Sequence, residues 1–566
     1  MEKRANLLPR SVVIDRMMKE INGVDSADPT RPGHMTKERA SEVLDLFKAS
    51  HGVPMRKSIT DKYSMEKMDG AEAEALQKDV SIATGLTYYD LRAPALNLFP
   101  TVTPLRNAIA RGGRTNPGDS LHYKTILGTT GSGFPFMGWV PEGQRSASMS
   151  YSSNPVTLPY ATYGEEDSLT DEARYAAMGF EDEDALVQLR LLLKMFVKEE
   201  AGILGGNSSL ALGTPAAPAL GTAALTATQQ GMFGVATATL PALTYSVIVV
   251  ALTQEGALNS TLSGIATTLN ITGNDGKTYT LNGGSSNKSQ NATQAVTLGN
   301  ALNCFATPIV GAVAYAWFVG AVGSETLQAI TSINSACFYA PLTGGQQTAA
   351  SITADCSRNQ GIAFDGLLTN AFVGFNNSGN AYIHTMANGT AGVGTGLTAS
   401  GKGGIVEIDN MCLTMWNKFR ISPTVIYVNA QELNNITTKV LSNSSAPLLR
   451  YNVAADQAGM VEYKLTAGGV VSFYFNPFTA DGGVRIPIKI HPNLQPGTII
   501  AWAERLPAWY VSNETPVVAE VLCRRDYYNE LWPRTTRAQY YGVYCQAVLA
   551  VYAQFALGII TNIGNL

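Results

Sequence analysis

Charge is what this 566-residue chain has least of. Asp, Glu, Lys and Arg together make up 15% of it, against the ~25% of an average globular protein. So little charge suits a molecule whose surface is largely covered by other subunits. A net charge of −4 leaves no basic stripe of the kind a nucleic-acid reader presents. Metal and thiol signatures are missing too. The six cysteines (304, 337, 356, 412, 523 and 545) contain no C-x-x-C pair and the five histidines stand singly, so neither zinc nor a disulfide framework is expected and a reducing cytosolic origin is the default. No H-E-x-x-H or G-x-S-x-G occurs, and "GTTGSGF" misses a nucleophile elbow because Gly131-Ser132 lacks the flanking pattern. No enzyme, no metal and no cofactor is expected. The opening "MEKRANLLPRSVVIDRMMKE" is charged throughout and lacks the apolar core of a signal peptide.

Long hydrophobic runs are nearly absent as well. Residues 305–323, "FATPIVGAVAYAWFVGAVG", imitate a membrane span. Pro308, the glycines and the lack of Lys/Arg flanks favour a buried strand through "AVAYAWFV" and no membrane.

One stretch does suggest chemistry. "GLTASGKGG", residues 396–404, places Gly396, Gly401 and Lys402 as a phosphate-binding loop would, but Gly403 stands where the Mg²⁺-holding hydroxyl belongs. The segment before it is Gly/Ala/Thr loop material rather than a buried strand, so a loop leading into a helix, with no nucleotide, is the expectation.

Organisation along the chain is uneven. Residues 1–84 form an N-terminal segment in which Val13, Met17 and Ile21, then Ala40, Val43, Leu44 and Phe47, recur at helical spacing. Residues 85–207 read as an extended arm, a long hairpin and a long helix over 181–204. Acids open that helix, Gly205-Gly206 closes it, and Leu186, Leu189, Leu193, Phe196, Val197 and Leu204 are its expected buried face. Within 208–354 only Glu255, Asp275, Lys277, Lys288 and Glu325 are charged. Short strands broken by Gly/Asn turns there suggest an inserted β-sandwich, immunoglobulin-like and tolerant of deletion. Residues 355–500 return to mixed helix and strand, with helices at 404–419 and 430–441, and 501–566 close the chain with strands packed on both faces.

The remaining candidates are ambiguous. Glu165, Glu166 and Asp167 fit a solvated strand end better than a catalytic or cation site, and Glu181 to Asp184 fit a helix N-terminus. His122 and His491 are isolated, as packed or surface histidines are. "CRRDYYNELWPRTTR", residues 523–537, interleaves arginines with Asp526 and Glu530. Ion pairs within or between subunits are favoured there over base stacking.

The order of elements carries more than any motif. The arm, the hairpin with "GWVPEG" (Gly138 to Gly143), the helix ending "KEEAGILGGN", "FDGLL" and "FRISPTVIYVNAQELNNITTKVLSN" together resemble the major capsid protein of tailed double-stranded DNA phages, the Hong Kong ninety-seven-like fold. The resemblance covers roughly 85–207 and 356–566. It implies an α+β chain with an N-terminal arm, an extended loop at 116–165 lying over a neighbouring subunit, a spine helix, an axial domain within 355–500 and a peripheral domain that 501–566 rejoins. It further implies self-assembly into hexamers and pentamers of a virion capsid, put together in the host cytoplasm. Scaffold, portal and decoration proteins would be candidate partners, and packaged DNA would be touched without sequence preference. Trp139, Glu142, Arg145, Arg524, Arg525, Arg534 and Arg537 are then the candidate subunit-interface residues. Lys124 is the sole lysine between Ser120 and Pro159, so covalent cross-linking of the loops is not expected. The alternative is a β-rich surface adhesin or another virion structural protein.

Overall fold

The computed structural model describes residues 100–565 except 114–117, 132–136, 147, 179–181, 274–275, 377–379, 402, 443–449, 456–460, 467–470, 481, 511–516 and 535. The helices expected near residues 13–21 and 40–47 lie outside the described residues. From Pro94 on, the chain forms one compact α+β unit.

The long helix runs Glu183–Gly205, and the signals that predict it operate as expected. Asp182 caps it by accepting the N–H of Ala185 at 3.3 Å, and Glu183 and Asp184 occupy the first turn, where the helix dipole favours negative charge. Its buried face, however, is set one step away from the expected one. Val187, Leu191, Met195, Glu199 and Ile203 make the i, i+4 stripe that enters the core, while Leu189 is 45% exposed. Hydrophobicity alone misplaces the stripe because two carboxylates, Glu199 and Glu200, hold core positions.

Two sheets share one core with this helix. The first orders its strands Ala110–Gly113, Ala519–Trp532, Ala538–Val551 and Ala161–Thr170; the arm strand runs parallel to its neighbour and the other pairs are antiparallel. The second is a mixed six-stranded sheet, ordered Tyr382–Thr385, Leu557–Thr561, Ile499–Trp502, Val425–Val428, Val484–Ile490 and Phe473–Asn476. Helices Leu367–Asn376, Val406–Phe419 and Ala430–Ser442 complete this half. Met411 and Met415 of the middle helix, Ile426 and Trp502 of the sheet and Leu191 of the long helix belong to one apolar core, so both sheets close around the same interior.

Residues 208–354 hold a two-stranded ribbon, Thr268–Thr272 with Thr278–Asn282, and two larger sheets. One has three strands, Ala219–Ala223, Ala301–Phe305 and Ser335–Phe338. The other has four, Thr244–Leu252, Ala292–Ala295, Ala314–Gly320 and Thr326–Thr331. Alternate residues Tyr245, Val247, Val249, Tyr315, Trp317 and Val319 share one cluster with Leu302, Cys304 and Phe338 of the first sheet, as facing sheets do. The opposite face of the four-stranded sheet is buried too: Ile248, Val250, Ala316 and Phe318 pack against Ile265 and Ile352. The apolar run "AVAYAWFV" is thus a strand buried on both faces.

This region is stitched to its surroundings. Asn334 donates its backbone N–H to Asn562 and its side-chain amide to Asn388, both at 2.7 Å, and Gln229 donates to the carbonyl of Ala391 at 3.0 Å. Excising 208–354 strips Asn562 and Asn388 of these bonds. Asn388 is exposed and can turn to water, but the buried Asn562 loses its partner, a cost that opposes the expected tolerance of deletion.

Glu255 sits in the first turn of the helix Gln254–Asn259 and has no ion-pair partner among the described residues; burial pushes its pKa from the ordinary 4.5 to about 7. A carboxyl whose folded pKa lies above its unfolded one stabilises the fold when protonated. That contribution is whole below pH 4.5 and is lost as pH rises toward 7. The melting temperature should therefore fall on titration from pH 4.5 to 8, and Glu255→Gln should flatten this slope. An unchanged slope in the variant would assign the titration to another group.

Candidate assembly interface

The arm enters at Thr103 and turns immediately into the short helix Pro104–Ala108. The Pro at its first position fixes φ and removes one orphan donor. The next donors are met by Glu200 from the long helix. Its carboxylate accepts the backbone N–H of Leu105 at 2.8 Å and of Arg106 at 2.7 Å, and also Nε2 of His491 at 2.7 Å. His491 Nδ1 accepts the N–H of Asn493 at 3.2 Å, which places the ring proton on Nε2, facing the carboxylate. Both side chains of this pair are fully buried.

Glu199, the neighbouring residue, points elsewhere. It accepts Nε of Arg106 at 2.8 Å, Nη1 of Arg111 and the hydroxyl of Tyr527. Arg106 lies over the Phe196 ring at 3.8 Å. Arg111 also grips Asp526 at 2.8 Å: burial alone would raise the pKa of that carboxyl, yet the guanidinium holds it below the ordinary value. Arm, helix, first sheet and second sheet are thus tied at two adjacent carboxylates. Sequence reading treats His491 as an isolated residue and Glu199-Glu200 as part of a helix end. Charged residues occupying a core stripe were the available signal.

The arm leads into the hairpin Ser120–Thr130 and Ser150–Pro159. Its base is docked: Leu121 is buried, and Tyr123 packs edge-on to Tyr552 at 5.0 Å and donates to the carbonyl of Val551. Past that base the ribbon has two strands and, among the described residues, no third neighbour. Ile126, Met137, Val140, Met149 and Tyr151 are exposed, and Trp139 is 93% exposed. The segment Pro141–Gln144, "PEGQ", is a turn, with Pro141 O accepting from Gln144 N at 3.1 Å and Gly143 at φ 75°, the left-handed position that a type II turn assigns to Gly. Glu142 and Arg145 are exposed beside it and do not pair with each other.

The four candidate arginines of the C-terminal sheet all have acidic partners within the chain. Arg524 meets Asp119 at 3.3 Å, Arg525 meets Glu530 at 3.4 Å, Arg534 meets Asp171 at 3.3 Å and Arg537 meets Glu172 at 2.6 Å. Arg525 also lies over Tyr528 at 3.5 Å, Tyr528 stacks on Tyr544, and Trp532 meets Tyr544 edge-on. Gly164 makes room for this stack, since a Cβ there would come within 2.2 Å of the Tyr544 ring. The aromatic faces that could have stacked on bases are engaged by one another. Glu165, Glu166 and Asp167 lie mid-strand rather than at a strand end, with Glu165 paired to Lys198 and Glu166 accepting from Tyr544.

The phosphate-loop look-alike is a closed turn. Gly404 N donates to Ser400 Oγ at 3.1 Å, Ile405 N to the Tyr474 hydroxyl at 2.9 Å and Val406 N to Thr398 O at 2.9 Å, just where Val406–Phe419 begins. The N–H groups at the start of that helix are therefore already used. Lys402 lies outside the described residues.

No protein-family model and no curated protein matches the chain. Solved structures do. The capsid of a native GTA particle aligns with 86% of this chain and 99% of its own, at 8% identity and a TM-score of 0.37. The holo-SrpI encapsulin complex from Synechococcus elongatus PCC 7942 aligns with 88% and 96%, at 9% identity and 0.34. The capsid of cyanophage P-SCSP1u aligns with 84% and 93%, at 7% identity and 0.34. Matches at these identities and scores assign no function to the chain.

Removing Glu200 would leave two helix-start N–H groups and a buried imidazole without their acceptor. Glu200→Ala should cost about 3–5 kcal/mol in urea unfolding. Arg537→Ala removes an exposed ion pair and should cost no more than about 0.5 kcal/mol. Comparable losses for both would contradict the central place given to Glu200.

Proposed function

We propose that this chain is a structural shell subunit, the major capsid protein of a tailed double-stranded DNA phage, assembling as hexamers and pentamers into an icosahedral capsid. The observation that carries the reading is the hairpin at 120–159, held firmly at its base and without a core of its own. A ribbon this long with exposed Trp, Met and Tyr gains its burial from another molecule, and a second copy of the chain is the partner that a symmetric shell supplies. In this reading Trp139 is the anchor, and Glu142 and Arg145 form its polar rim.

On the same reading Arg524, Arg525, Arg534 and Arg537 lie near subunit boundaries and the second sheet with its helices forms the axial domain. Residues 208–354 are an inserted immunoglobulin-like domain. The net charge of −4 suits a wall around packaged DNA, because strong attraction to the polyanion would resist its movement. Scaffold, portal and decoration proteins are the further partners this role requires.

Negative-stain microscopy of the expressed protein should show closed shells or ring-shaped capsomers; monodisperse monomers at high concentration would count against the role. Trp139→Ala should abolish or strongly reduce assembly while moving the melting temperature of the unassembled subunit by less than about 1 °C, because an exposed side chain contributes little to its own fold. Equal losses in both would place Trp139 in the subunit's own packing.

A further inference from the structure

Cys523 and Cys545 lie in the neighbouring antiparallel strands Ala519–Trp532 and Ala538–Val551. Cys523 pairs with Ala547, so Cys545 is its diagonal neighbour on the same face, and the ladder changes register between Cys523 and Arg525. Both side chains are buried, and their sulfurs and the Asp526 carboxylate lie within 4.8 Å of one another. Arg111 covers the pair: its Nη2 donates to Cys545 Sγ at 3.4 Å and to Asp526 Oδ1 at 2.8 Å, and the side chain is itself 23% exposed. The thiols are therefore one layer below the surface.

Two sulfurs and a carboxylate could suggest a divalent cation. Arg111 argues otherwise, because a guanidinium already sits against two of the three donors and Asp526 is taken up by it through both oxygens. A metal would have to displace a cation also anchored to Glu199. Two thiols facing each other beside a positive charge fit a different chemistry.

We propose that Cys523 and Cys545 are an oxidisable pair that closes into a cross-strand disulfide when the protein meets a hydroperoxide, stapling the two long strands of the first sheet together. Diagonal neighbours on paired strands stand ~7–8 Å apart at Cα, slightly more than a disulfide spans, so closure requires the strands to shift toward each other. The register irregularity beside Cys523 gives the strand the play it needs to close.

The two thiols are differently prepared. Cys545 is held below the ordinary thiol value, chiefly by the hydrogen bond from Cys523 and against the effect of burial, with Tyr163 and Arg111 contributing. Cys523 is pushed up by that same hydrogen bond and by burial. Cys545 is thus the attacking thiolate. Its sulfur bonds to one oxygen of hydrogen peroxide, the O–O bond breaks, and the departing hydroxide takes up a proton to become water. Cys523 then attacks the resulting sulfenic sulfur, the S–S bond forms, the S–O bond breaks, and the second hydroxide leaves as water with the Cys523 proton. Two thiols are oxidised and one peroxide is reduced.

The full-length protein treated with hydrogen peroxide, then denatured and alkylated without reductant, should retain four reactive thiols of its six cysteines. A peptide map should join the segments holding residues 523 and 545, and the melting temperature should rise by several degrees and return on reduction. Cys545→Ser should keep its five thiols under mild peroxide, Cys523→Ser should hold Cys545 as a sulfenic acid and keep four, and neither should show such a rise. The wild-type map alone decides the matter if a variant folds poorly. Six thiols after treatment, a link between other cysteines, oxidation of Cys545 to a sulfinic acid with Cys523 free, or stoichiometric zinc in the untreated protein would each overturn the proposal.

Discussion

Two adjacent carboxylates inside a helix hold this molecule together. Neighbouring helical residues project about 100° apart, so Glu199 and Glu200 reach different partners from one turn. Glu199 collects Arg106, Arg111 and Tyr527, and Glu200 collects the start of the arm helix and His491. Charges taken out of water are tolerated only when every oxygen finds donors, and here the donors come from segments far apart in sequence. Folding of the arm, closure of the first sheet and docking of the second are consequently coupled. The hairpin inherits its place from the same coupling, since it leaves the body directly after the arm strand that Arg111 pins down.

Much of the helix content was legible and much of the pairing was not. Gly205-Gly206 and the acids at 182–184 mark the long helix because its ends must satisfy orphan backbone groups by local means. The helix expected at 404–419 is found at Val406–Phe419, with Ile408, Cys412 and Met415 on its buried face, and the one expected at 430–441 at Ala430–Ser442. Sheet order has no comparable local cause. Val425–Val428 is flanked by Val484–Ile490 on one side and Ile499–Trp502 on the other, an arrangement set by tertiary packing. The phase of the long helix was missed because Leu189 faces out and Glu200 faces in, and the thiol pair was missed because spacing along the chain conceals neighbours across strands.

The interface residues show where electrostatic reading of a sequence stops. An Arg-rich segment such as 523–537 invites a partner, but each of its four arginines is matched within the chain, by Asp119, Glu530, Asp171 and Glu172. Exposed pairs of this kind contribute little to stability and can exchange partners when another surface approaches. Among the described residues Trp139 has no such internal partner, so the apolar hairpin is the stronger indication of contact.

The sandwich within 208–354 is fastened by Asn334 and Gln229 to the loops around Asn388, Ala391 and Asn562, yet one of its hairpins stands apart. Among the described residues, the strands Thr268–Thr272 and Thr278–Asn282 pair only with each other, and the first is exposed along its whole length. For protein engineering the two facts divide the region into a part to keep and a part to use. A foreign peptide spliced between those two strands would sit on an exposed ribbon with the fastening left intact, whereas exchanging the whole of 208–354 as a cassette would open the seam that joins it to the body.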